Sequence, residues 1–172
     1  MKLNFLKVRK DVKLPTRGTP TSAGLDLCAD IEESMVYTAY SDTGVCDTIA
    51  TTVDAECNPV LQIPAHCTVL VPTGLAVAPD REDVALLVYP RSGLATKSGI
   101  NLANGVAVID SDYRGEMMIP LRNNTNVAFN IKHGDRIAQL VVTPILFADV
   151  EEVEELNKTE RGNGGFGSTG VS

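Results

Sequence analysis

The chain has 172 residues, 44% of them hydrophobic and only 5% aromatic, with no Trp. Such a composition fits one domain with a core of Val, Ile, Leu and Ala, and argues against a second full domain. A formal net charge of -7 argues against duplex nucleic acid as a direct partner, although a local cluster of Arg and N–H groups can still bind a phosphate-bearing small molecule.

From the N-terminus, Met1-Lys2-Leu3-Asn4-Phe5-Leu6-Lys7 is charged and lacks the long apolar run of a secretory segment. Cys28, Cys46, Cys57 and Cys67 stand without zinc-ligand spacing, accompanied only by His66 and His133, so reduced thiols in a cytoplasmic protein are expected. No stretch is long and apolar enough to span a membrane as a helix.

Ala23-Gly24-Leu25-Asp26-Leu27 reads as a strand opening after a turn. Residues 31–61 are richer in Thr, Asp, Ser and Tyr, and predict a hairpin with arms at 34–40 and 45–53 about Ser41-Asp42-Thr43-Gly44. Short β-branched runs follow at 67–71, 84–89, 105–109, 116–121 and 137–143, which predicts an all-β barrel, sandwich or jelly roll. Pro64, Pro72, Pro79, Pro90, Pro120 and Pro144 are placed near the ends of these runs, where no central ladder bond is lost. One short helix is expected at 92–98, with Ser92 as N-cap and Gly99 as the stop. At 150–156, Val150, Val153 and Leu156 recur at spacing three among glutamates, so a short helix and a strand with linker are equally compatible. Residues 1–160 thus form one β-rich domain, and 161–172 a Gly-rich tail without a folding pattern of its own.

Several segments carry chemistry. In the tail, Arg161-Gly162-Asn163-Gly164-Gly165-Phe166-Gly167-Ser168-Thr169-Gly170 combines glycine N–H groups, an Arg fork and hydroxyls that suit phosphate, with one Phe to stack on a base. No Lys follows the glycines, which excludes a P-loop. Asp110-Ser111-Asp112-Tyr113-Arg114-Gly115-Glu116 is a charged turn after a strand. One of its carboxylates suits a general base, and spacing does not choose between Asp110 and Asp112. Pro90-Arg91-Ser92-Gly93-Leu94-Ala95 sets an Arg and a Ser at a helix start, a ready anion site. Gly134-Asp135-Arg136-Ile137-Ala138-Gln139-Leu140 is a turn and strand whose Gln139 is either an interior anchor or a ligand donor.

Taken in order, the motifs beginning at Ala23, Pro90, Gly105, Gly134 and Arg161 resemble the trimeric deoxyuridine triphosphatase family across nearly the whole chain. The resemblance implies a jelly-roll-like (β-clip) subunit with one short helix, a homotrimer with shared sites, and hydrolysis of dUTP to dUMP and pyrophosphate with Mg²⁺. That reaction limits uracil incorporation into DNA and supplies dUMP for dTMP synthesis. By the same resemblance Asp110 orients the attacking water, Arg91 supports it, and Tyr113 packs under the deoxyribose. Asn104, Gly105 and Val108 belong to the hairpin that reads uracil. Ser92, Gly93 and Gln139 contact the phosphates, and Asp26 holds a water of the Mg²⁺, which the triphosphate itself mainly binds. Arg161, Phe166, Gly167, Ser168 and Thr169 close over the ligand. Two departures stand out: Leu25 replaces a Tyr found in many relatives, and 31–61 is longer than compact members need. This insertion is expected to serve as a plain hairpin, a trimer brace or a docking surface for another protein. A dCTP deaminase is the nearest rival, but Leu94-Ala95-Thr96-Lys97 follows the Arg-Ser pair where that group has a second Arg. A regulatory module that recognises a partner through 31–61 is the rival from another class.

Overall fold

The computed structural model describes residues 1–165. In chain order the strands are β1 (Leu3–Lys7), β2 (Leu25–Cys28), β3 (Val36–Ser41), β4 (Gly44–Ala50), β5 (Thr52–Val53), β6 (Pro59–Ile63), β7 (Thr68–Pro72), β8 (Leu75–Pro79) and β9 (Val84–Pro90). One helix, α1 (Ser92–Ser98), precedes β10 (Ile100–Leu102), β11 (Ala107–Ile109), β12 (Met118–Asn123), β13 (Phe129–Lys132) and β14 (Arg136–Pro144). The pairings are antiparallel and form sheets ordered β10-β12-β7-β3-β4, β11-β9-β14-β2, β13-β6-β5 and β1-β8. The result is an all-β, jelly-roll-like subunit.

Strand alternation decides what the sheets enclose. On β12 the inward residues are Ile119, Leu121 and Asn123, and on β7 they are Val69 and Val71, paired as Leu121 with Val69 and Ile119 with Val71. Tyr37 and Ala39 extend this face on β3, and Leu27, Leu86, Val88, Ala138 and Leu140 belong to the same core from the other sheet. Asn123 is fully buried without conflict, because its amide donates to the carbonyls of Ile63, Pro64 and Val127 and its oxygen accepts from Thr125.

The five β-branched runs become β7, β9, β11, β12 and β14, with ends shifted by one or two residues. The hairpin also forms, and Ser41 pairs with Gly44 across a two-residue Asp42-Thr43 turn, Gly44 adopting φ 110°. Segment 31–61 is woven into the domain: Ile31, Tyr37, Ala39 and Leu61 are core residues, and β3 pairs with β7. Three details differ from the reading of the sequence. The N-cap of α1 is Arg91, in extended conformation and without a side-chain cap bond, so Ser92 is the first helical residue; Gly99 does end the helix at φ 66°. Pro120 lies inside β12, not at its end. Its carbonyl accepts from Ala103 N–H, so its ring nitrogen faces the same side, just beyond β10, where no ladder bond is lost. Residues 150–156 form neither helix nor strand, and Val150, Val153 and Leu156 are exposed, so the apolar stripe lacks burial against the described residues. Among the described residues no helix is long and apolar enough to cross a membrane.

The buried ring of Tyr37 supplies a test of this packing. Burial pushes its hydroxyl up to about 12 from an ordinary value of 10. The folded state therefore keeps a proton that the unfolded chain releases first, and stability falls as pH rises from about 10 to 12, by up to about 2 kcal/mol. In urea titrations Tyr37→Phe should match the wild type at pH 7 within about 1 kcal/mol, since only a weak bond to Met35 Sδ is lost, and should lack that alkaline component. Parallel stability curves up to pH 12 would contradict the assignment.

Candidate active site

β9 is the central reference for the site, because it is paired on both sides. Along one side Ile109 faces Leu86, and along the other Gln139 faces Tyr89, with Asp26 next to Gln139 on β2. Motif residues are thereby delivered to the two ends of one strand.

At the end where β9 runs into α1, Asp26, Arg91, Arg136 and Gln139 are brought together. Asp26 Oδ1 accepts from Arg91 Nε at 3.0 Å and Oδ2 accepts from Arg136 Nη1 at 3.0 Å, while Arg91 also donates to the Arg136 carbonyl. One carboxylate thus aligns two guanidiniums, whose remaining N–H groups stay available to an anion, while Asp135 borders the same cleft. Gln139 donates to the Pro90 carbonyl at 3.1 Å, and lies so close over Gly24 that a Cβ there would stand 2.7 Å from Gln139 Oε1. Ser92 and Gly93 are exposed at the start of α1, beside this cluster. Arg136 is a member that sequence reading passed over as a turn residue; its signal is the basic position two residues after Gly134. Burial pushes the thiol of Cys28, also on β2, up from its ordinary value, which favours the protonated form.

At the other end of β9 lies the loop from β11 to β12. A cavity of about 260 Å³ is lined by Asn104, Ala107, Val108, Ile109, Asp110 and Tyr113, among others. Gly105 takes φ 72° at the hairpin turn, and Val108 is exposed toward the cavity. Tyr113 packs over Gly115, where a Cβ would meet the phenol oxygen at 2.2 Å, and its hydroxyl donates to the Glu116 carbonyl at 3.1 Å. Asp110 borders this cavity and Asp112 does not; both border a neighbouring cleft of about 700 Å³ with Arg81 and Arg114.

The two clusters do not meet within one chain. Asp110 follows Ile109, which faces Leu86, so it is level with Ala85, whereas Arg91 lies beyond Pro90. Six residues of strand separate them, roughly 20 Å. The tail residue Arg161 joins neither cluster and donates to its own Gly164 carbonyl at 2.8 Å. Phe166, Gly167, Ser168 and Thr169 lie outside the described residues.

An Asp-Arg-Arg cluster and a small cavity on one subunit set the class, an all-β protein of jelly-roll-like fold. A family model described as dUTPase matches residues 60–170. The deoxyuridine 5'-triphosphate nucleotidohydrolase of Desulfitobacterium hafniense (strain DSM 10664 / DCB-2) is 40% identical over 174 residues, covering 100% of this chain and 98% of that one. Among solved structures, the Staphylococcus bacteriophage 80alpha dUTPase with dUPNHPP has a TM-score of 0.71 at 23% identity, covering 99% of both chains. A mutant dUTPase from phage phi11 of S. aureus, described with a coordinated structural Mg(II) ion, has a TM-score of 0.69 at 19% identity and covers 92% of this chain and 100% of its own. The likeness to these structures is one of fold. The chain belongs to the dUTPase family.

Gly24 tests whether the first cluster is a working unit. Gly24→Ala drives a methyl group into Gln139 and displaces it from the Pro90 carbonyl. Steady-state dUTP turnover should fall on the order of 10-fold or more while the protein stays folded. Unchanged kcat and KM would show that the seat of Gln139 is irrelevant to the reaction.

Proposed function

We propose that this chain hydrolyses dUTP to dUMP and pyrophosphate in a homotrimer whose sites are shared between subunits, thereby limiting uracil incorporation into DNA and supplying dUMP. The observation that supports it is the separation of the two clusters: roughly 20 Å is too far for Asp110 and the Asp26–Arg91–Gln139 group of one chain to act on a single triphosphate. The cavity beside Asp110 is also slightly smaller than the roughly 300 Å³ at which ligand clefts begin, as expected for one wall of a composite site. Closed threefold assembly brings the cavity of one subunit against the Arg cluster of another, and residues 161–172 of a third cover the ligand.

In this reading the backbone from Asn104 through Gly105 to Val108 reads the uracil edge, where mismatched polar groups reject cytosine. The ring of Tyr113, held over Gly115, lies under the deoxyribose and leaves no room for a 2′-hydroxyl. Ser92, Gly93 and Gln139 receive the phosphates at the uncapped start of α1. Asp110 accepts a proton from water as the oxygen forms its bond to the α-phosphorus, and the α–β bridging oxygen leaves with pyrophosphate. Asp110 is preferred to Asp112 because it alone of the two faces the nucleoside cavity. Arg91 supports that water and, with Arg161, Ser168 and Thr169, offsets charge that develops on the phosphates; Phe166 and Gly167 close over the base.

Among the described residues no three His, Cys, Asp or Glu side chains are grouped to hold a metal ion. A Mg²⁺ ion carried mainly by the triphosphate fits this arrangement, because among the described residues each oxygen of Asp26 accepts one hydrogen bond and retains a lone pair for an ion-bound water. When bound, the ion supplies charge neutralisation and orientation of the phosphates. In this reading the exposed turn of the 31–61 hairpin is the surface at which a protein partner would dock. The cytoplasm is the expected compartment, with no membrane or direct nucleic-acid partner.

The Asp110 side chain makes no hydrogen bond among the described residues, so Asp110→Asn should stay within about 0.5 kcal/mol of wild-type stability. Its kcat for dUTP should fall roughly 10² to 10⁴-fold. Near-normal turnover would move the base to Asp112.

Sharing of the site is tested by mixing two inactive proteins, Asp110→Asn and a chain lacking residues 161–172. After unfolding and reassembly at equal amounts, roughly a quarter of sites should combine an intact Asp110 with an intact tail from different subunits, and activity should return to that fraction. No recovery in mixed trimers confirmed by mass would show that both groups come from one chain.

A further inference from the structure

Resting on the reading of Tyr113 as the sugar gate, we propose that Arg9 is a positioning residue for that gate and sets the discrimination between 2′-deoxy and 2′-hydroxy nucleotides through Glu116. Arg9 lies just after β1, more than a hundred positions from the loop that it holds. Its guanidinium grips both oxygens of Glu116, Nη1 at 3.1 Å from Oε2 and Nη2 against Oε1, while Nε donates to Asp30 Oδ2. Glu116 Oε1 also accepts from Gly74 N–H at 2.7 Å. The loop that carries Asp110 and Tyr113 therefore ends on a residue fastened by a bidentate Arg fork and a backbone donor. Tyr113 in turn donates to the main-chain carbonyl of Glu116 at 3.1 Å. Anchoring the carboxylate fixes where the Glu116 main chain sits, and a shift of that main chain would move the acceptor that holds the phenol, and with it the ring that borders the cavity.

The surroundings give the fork little freedom. The Asp30 side chain is 3% exposed, and its backbone N–H is bonded to the Pro72 carbonyl. Gly74 adopts φ 67°, and a Cβ there would lie 2.4 Å from Val12 and 2.5 Å from Asp30, so the turn after β7 closes tightly against the same network. Arg9 thus links its own segment and Asp30 to the loop, and Gly74 fastens Glu116 independently. Only a planar fork can satisfy Asp30 and both oxygens of Glu116 at once, and Lys, as a point charge, cannot.

The test compares kcat/KM for dUTP and for UTP in the wild type, Arg9→Lys, Glu116→Gln and Tyr113→Phe, each confirmed as a folded trimer, with Mg²⁺ present. Arg9→Lys keeps a positive charge between the two carboxylates, and Glu116→Gln keeps an acceptor for Gly74, so at least one variant should fold. The dUTP/UTP ratio should fall about tenfold in Arg9→Lys and Glu116→Gln, chiefly by improved use of UTP. A merely structural loss would lower both substrates together and leave the ratio unchanged. In a Tyr113→Phe background, Arg9→Lys should have no further effect on the ratio, because the link it acts through is already cut. If the wild type discriminates and the folded variants keep its ratio, or if Arg9→Lys acts equally with and without the Tyr113 hydroxyl, the role of Arg9 is overturned. If the wild type itself turns over UTP and dUTP alike, the sugar-gate reading of Tyr113 has failed, and the Arg9 proposal with it.

Discussion

The register of β9 between β11 and β14 is the constraint on which the site depends. Leu86 and Val88 must face the core, and a slip of one residue would turn them outward, so burial fixes the register strongly. Once fixed, the strand carries Arg91 at one end and stands level with Asp110 at the other. The separation of the two clusters is therefore a consequence of core packing, and association of subunits is the geometric remedy that the proposed mechanism uses.

Charged groups play two distinct roles around this frame. At the exposed end of the sheet, Asp26 orients Arg91 and Arg136 without neutralising both, which leaves donors for an anionic ligand in a chain of net charge -7. Near the loop from β11 to β12, Arg9, Asp30 and Glu116 are more enclosed, and their attraction is opposed by the cost of leaving water. Such a network is better understood as a device for holding geometry than as a source of stability. Among the described residues Asp30 Oδ1 has no hydrogen-bond partner, with His133 Nδ1 at 3.5 Å, consistent with a cluster whose arrangement serves position first.

The segment 31–61 shows how integration and exposure coexist. Its β3 strand buries Tyr37 and Ala39 beside β7, and Asp54 ties its last turn to β13 through Lys132, with the Lys132 and Asn58 bonds holding the Asp54 carboxyl well below its usual range. Val36 and Val45 remain outside. Removing the segment whole would open the core, in which Val36 and Val45 take no part.

Local physics sufficed to show, from the residues alone, the all-β character, the positions of β7, β9, β11, β12 and β14, the Asp42-Thr43 hairpin and the Gly99 stop, because period-two burial, turn residues and positive φ each act within a few positions. The order of the motifs likewise pointed to the family and to Asp26, Arg91, Asp110, Tyr113 and Gln139 as candidates. Short strands such as β1, β8 and β10 were not legible, since three to five residues gain a strand identity only from a distant partner. Nor did sequence show that Asp110 rather than Asp112 faces the cavity, that Arg136 shares Asp26 with Arg91, or that Arg9 reaches Glu116. These depend on pairing across many tens of residues, where only the closed sheets decide which side chains meet.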